Sequence, residues 1–169
     1  MALCFELVVN FGDNAEAAEA AARTRPTRTT LSAGGHQIPL HRPVLTDSEG
    51  HIELSILPVA VSWHCTLDGS LPRQKLTAAE LTELGQQLYD LLGTFHGYVA
   101  AQVGWNPEHF VDPAELREWS EELNDGSIHG LVLSEEVHAE LGLGAHYEVF
   151  RPGYRWIPYR GEPRGTTTD

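Results

Sequence analysis

Large apolar residues at Leu3, Phe5, Leu7, Val9 and Phe11 recur at every second position, the period of a strand that turns one face to a core. Cys4 and Val8 leave its other face only partly polar. Gly12-Asp13-Asn14 then supplies a turn and an N-cap for the alanine-rich run Ala15 to Ala22, a strong helix former that must stop before Pro26. From Thr27 to Thr66 the chain is rich in Thr and β-branched residues and is punctuated at Gly34-Gly35 and at Thr46 to Gly50, which predicts two hairpins. Ile52, Leu54 and Ile56 alternate with polar residues, but beyond Pro58 the apolar positions become Val59, Val61 and Trp63. This one-residue slip predicts a β-bulge or an edge-strand bend at Leu57-Pro58.

Thr77-x-x-Glu80 is a capping box, and Leu81, Leu84, Leu88, Leu91 and Phe95 follow at helical spacing. Gly97 to Val103 predicts a strand. The order strand, helix, hairpin, helix, strand fits an α+β fold of ferredoxin-like type, an antiparallel sheet with helices on one face. A carboxy-terminal helix and hairpin elaboration follows. Asp112-Pro113-Ala114-Glu115 opens a helix whose stripe is Leu116, Trp119 and Leu123, and Asn124-Asp125-Gly126 closes it. Ile128 to Leu133 reads as a short strand, and Ser134 caps a brief helix with Val137 and Leu141 inward. Tyr147 to Phe150 and Tyr154 to Tyr159 flank the turn signal Pro152-Gly153.

The chain has 169 residues, 41% of them apolar, the size of one ordinary domain that buries roughly 70% of its unfolded surface. It has no apolar tract of transmembrane length, no internal repeat and no low-complexity linker. The expected organisation is one domain over residues 1–160, with a sandwich core over 1–105, the elaboration over 106–160 and a frayed tail over 161–169.

Charge changes the picture more than composition does. The net charge is −13, and residues 77–150 alone carry that much, with Arg117 their sole cation. Such a surface opposes phosphate backbones and anionic lipids and suits a basic partner. Cys4 and Cys65 read as small buried hydrophobes of a reducing compartment, with a disulfide between them left open, and the amino end lacks a basic leader, so cytoplasmic residence is expected.

Reactive constellations are weak. His41, His51, Glu53 and His64 have the right chemistry for a transition metal, but His51 and His64 are too far apart along one strand to share an ion unless the chain folds back near Pro58. Glu135-x-x-His138 is half of a di-iron pattern without its second copy. Adjacent His64 and Cys65 point to opposite faces of a strand, and no Gly-x-Ser-x-Gly elbow or phosphate-binding glycine loop is present. No metal and no cofactor are therefore expected.

The terminal mixture of Phe150, Arg151, Tyr154, Arg155, Trp156, Tyr159, Arg160 and Arg164 suits base stacking or docking on the protein's own acidic section, and the net charge favours docking over nucleic acid. The function expected is a non-enzymatic binding or assembly module. Its acidic surface comprises Glu108, Asp112, Glu115, Glu118, Glu121 and Glu122, continued by Asp125, Glu135 and Glu136, and serves a basic protein partner or self-association. The alternative is a small enzyme or ligand-binding protein with a pocket between the sheet and the later elements near Trp105, His109 and Trp156.

Overall fold

A computed structural model describes residues 2–24, 30–48, 50–144 and 146–161, apart from the side chains of Ser48 and His109. The frayed tail expected from 161 onward lies, beyond Gly161, outside the described residues. The first strand, β1 (Phe5–Asn10), leads through the Asn14 cap into α1 (Ala15–Arg23), where the Asn14 side-chain oxygen Oδ1 accepts from Ala17 N. Two hairpins follow, β2 (Thr30–Ala33) with β3 (His36–Pro39), and β4 (Val44–Ser48) with β5 (His51–Ile56). Helix α2 (Ala78–Leu92) starts on the capping box read from Thr77 and Glu80, both of whose hydrogen bonds form, and leads to β6 (Ala100–Trp105).

The elaboration contains a 3₁₀ turn over Pro107–Phe110, α3 (Pro113–Leu116), α4 (Ser120–Asp125), β7 (Val132–Ser134), α5 (Glu135–Glu140) and the hairpin β8 (Glu148–Arg151) with β9 (Tyr154–Trp156). Its strands do not form a separate layer. They extend the main sheet, giving seven strands in the order β4-β5-β1-β6-β7-β9-β8 with antiparallel neighbours throughout, while β2 and β3 form a separate two-stranded sheet. The protein is α+β with a larger antiparallel sheet than the first five predicted elements require.

Both faces of this sheet are covered. Phe5, Leu7 and Val9 of β1 join Leu54, Ile56, Ala101 and Val103 beneath Ala18, Ala21, Leu81, Leu84, Leu88 and Leu92 of the two long helices. Each fully buried leucine there contributes about 1.5–3 kcal/mol relative to an exposed one. The alternate residues, Val8, Ala100 and Leu133, form a second core with Val111, Leu116, Leu123, Val137, Leu143 and Ile157 from the elaboration. Helices α1 and α2 thus occupy one face as expected, and the shorter elements roof the other. Asn10 fastens that roof: its amide donates to the Val111 carbonyl at 2.8 Å, and its oxygen accepts from Gly12 N.

Three local expectations are corrected. The phase slip at Leu57-Pro58 is a strand end rather than a bulge, because the chain turns away through left-handed backbone at Ala60 (φ 62°) and His64 (φ 53°). Asp68 holds this turn, accepting from Ala60 N at 2.9 Å and lying 2.6 Å from His41 Nε2. The helix predicted from Asp112 is interrupted by a 3₁₀ turn at Arg117–Trp119, which takes Trp119 off the buried stripe while Leu116 and Leu123 remain inside. The strand predicted from Ile128 begins only at Val132, because Tyr89 separates the preceding chain from β6. The Tyr89 hydroxyl donates to the Gly130 carbonyl at 2.6 Å and accepts from Val103 N at 3.0 Å.

Among the described residues, no helix is long and apolar enough to cross a membrane.

Candidate functional site

The carboxylates singled out by charge patterning divide into two groups. Glu115, Glu118 and Glu121 are exposed on α3, the 3₁₀ turn and α4, and Glu122 beside them is half-buried. Asp112 is occupied as the α3 cap, accepting from Ala114 N at 2.9 Å. Glu108 turns inward, with one carboxylate oxygen buried. Asp125, Glu135 and Glu136 are exposed, and Asp125 is held below the usual carboxylate range by hydrogen bonds from Ser127. Among these carboxylates stands Trp119, 37% exposed, with its ring centroid 5.2 Å from that of Phe110. Periodicity placed this indole in the core, so its surface position was not legible from the sequence.

Glu6 is the carboxylate that spacing alone did not mark. It lies on the roofed face of β1, 9% exposed, and its pKa is pushed up to about 7. Burial is the largest cause, followed by the negative charges of Glu108 and Glu53. Cys4, two residues earlier on the same face, is also pushed up, to about 11, first by burial and then by Glu6. Cys4 and Cys65 are both free thiols, partly exposed rather than fully buried.

The pocket residues read from the sequence are not brought together. Trp105 lines a cleft of about 220 Å³ between β6, residues 127–129 and the terminal stretch at Tyr159-Arg160. His109 belongs to the 3₁₀ turn, and its side chain lies outside the described residues. Trp156 is elsewhere, edge-on to Tyr89 at 5.0 Å and to Phe150 at 4.9 Å. Gln102 on the cleft wall was not anticipated. It is 8% exposed, its amide donates to the His129 carbonyl at 3.0 Å, and its Oε1 is buried with no partner among the described residues.

The terminal aromatics and arginines pack onto their own protein. Tyr154 stacks on Tyr98 with centroids 4.1 Å apart and donates to the Tyr98 carbonyl, while Arg151 donates to the carbonyls of Gly93 and Phe95. Arg155 lies 3.8 Å from Glu135, an acidic residue of the elaboration, at a separation where an exposed pair contributes little. Tyr159 fits over Gly85, where a β-carbon would fall 2.1 Å from its ring, and donates to the Leu81 carbonyl.

Two of the histidines pair with acids. His41 meets Asp68, and His51 Nε2 is 2.9 Å from Glu53. His64 is exposed at its left-handed turn. Among the described residues, no three His, Cys, Asp or Glu side chains converge as a metal-binding set. No family model, curated protein or solved structure matches the chain.

Proposed function

We propose that the protein is a non-enzymatic binding or assembly module, and that its elaboration receives a basic protein segment on the acidic face of α3 and α4. The observation that carries this reading is Trp119. A large amphipathic ring held partly in solvent, braced by Phe110 and flanked by Glu115, Glu118 and Glu121, has the makeup of a binding anchor with a charged rim. Arg117 is the single cation within residues 77–150 to offset that rim. Nucleic acid fits poorly as the partner, because the aromatics that might stack on bases are engaged with Tyr98 and Tyr89 and the net charge repels polyanions.

The core beneath is read as ferredoxin-like. Support comes from the order β4-β5-β1-β6, with one helix between β1 and the hairpins and the other between β5 and β6. The β2-β3 hairpin and the three added strands are then embellishments of that plan.

The reading is tested by isolating the partner from the native source and measuring its affinity for the wild type, Trp119→Ala and the double charge reversal Glu118→Lys, Glu121→Lys. The expected partner surface is basic, each variant weakens binding by about tenfold or more, and the wild-type affinity falls with added salt. Affinity unchanged by both variants overturns the proposal. Self-association lost with the same substitutions would assign the face to assembly.

A further inference from the structure

The cleft beside β6 has features that core packing does not require. Gly104 sits within the strand, opposite Glu6, with no left-handed backbone to demand glycine, and a β-carbon added there would meet nothing within 4 Å. A glycine in a strand weakens it, and one recurrent reason to find it is the close approach of another group. Gln102, two residues earlier on the same face, has one half of its amide committed. The His129 carbonyl can only accept, so it fixes Nε2 on that side and leaves Oε1 as the orphan. A buried carbonyl oxygen without a donor is costly, and among the described residues none supplies that donor. Phe110 provides a flat apolar wall on the roofed face, Trp105 borders the cleft from the opposite face beside Phe5, and exposed Arg160 stands at the rim.

We propose that this cleft binds a small planar N-heteroaromatic anion. Its ring lies over Gly104 against Phe110, its N–H donates to Gln102 Oε1 after a small rotation of the amide, and its carboxylate or phosphate meets Arg160. The volume of about 220 Å³ lies below the roughly 300 Å³ at which drug-sized pockets begin, which limits the ligand to one or two fused rings with a short arm. The anionic arm points to Arg160 at the rim and away from Glu6, which faces Gly104 across the β1–β6 pair, while the more distant negative charge of the chain is screened beyond about 8 Å at physiological salt. This site is separate from the acidic face, although Phe110 touches both.

The test uses the full chain and three probes, indole-3-acetate, its N-methyl derivative and 3-methylindole, followed by amide and indole chemical shifts. Indole-3-acetate is expected to shift Gln102, Trp105 and His129 and to saturate at millimolar concentration or below. N-methylation removes the donor and should weaken binding about tenfold, as should loss of the carboxylate in 3-methylindole. Gly104→Leu fills the open space and should abolish binding while near-UV circular dichroism stays native, and Gln102→Leu should erase the difference between indole-3-acetate and its N-methyl derivative. No saturable shift with any probe, equal binding of the methylated probe, or wild-type affinity in a folded Gly104→Leu protein would each overturn the proposal.

Discussion

Glu6 offers a quantitative test of how the roofed face of the sheet behaves. Substituting Glu6→Gln keeps the shape of the neutral acid and removes its ability to ionise. In the folded chain the group titrates near 7, against an ordinary 4.5, because burial and the neighbouring Glu108 and Glu53 disfavour its charge. A folded-state pKa above the unfolded one means that the native state binds the proton more tightly. The associated stability is complete below pH 4.5 and is lost as pH rises through 7. At about 1.4 kcal/mol per pH unit, the wild type forfeits about 3 kcal/mol above pH 7.5 relative to a chain carrying a permanently neutral group. Glu6→Gln should therefore be more stable than wild type by about that amount at pH 8.5, by about half as much near pH 5.5, and by nothing resolvable at pH 4. Urea unfolding across this range, with the slope m held constant between variants, measures the difference directly. A gain of the same size at pH 4 and pH 8.5, or a loss at pH 8.5, would refute the argument that the charged carboxylate is the destabilising species.

Tyr89→Phe removes one hydroxyl that serves two backbone groups, Val103 N–H and the Gly130 carbonyl. Leaving both buried and unpaired should cost about 2–4 kcal/mol in denaturant unfolding, and a cost below 0.5 kcal/mol would mean that the wedge is replaceable. Cys4, with a pKa pushed up to about 11 against an ordinary 9, holds about a hundredfold less thiolate at pH 8. Greater intrinsic nucleophilicity offsets roughly tenfold of that, so iodoacetamide should modify Cys4 at least about tenfold more slowly than a peptide thiol, with the rate rising steeply toward pH 11. Mass-spectrometric mapping of Cys4 at the peptide-thiol rate would contradict the assigned burial.

What the sequence made legible was local. The alternation in Leu3 to Phe11, the Asn14 cap, the Thr77-Glu80 capping box and the turns at Gly34-Gly35 and Pro152-Gly153 all depend on residues a few positions apart, and each appears where its chemistry requires. What escaped depends on distant chain segments. Glu6 reads as the polar side of a half-exposed strand until the turn at Pro107–Phe110 is laid over it. Gln102 becomes unusual only because His129 claims half of its amide. Trp119 obeyed a helical period across a stretch where the winding changes to 3₁₀, and the cap and stop signals at Asp112 and Gly126 gave no warning of a break between them. Of the candidate site, the exposed glutamates and Trp105 were recoverable from pattern, whereas the orphaned oxygen and the open space over Gly104 were not.

Strand β1 is buried along its whole length, and its two sides belong to different hydrophobic clusters. It acts as a party wall between two rooms. Peeling off the late elements would wet Val8 and unclamp Asn10, and losing the long helices would strip Leu7 and Val9 from the reverse side. Each layer's integrity is consequently a condition of the other's, so damage begun at either surface is transmitted through six central residues to the far side of the molecule.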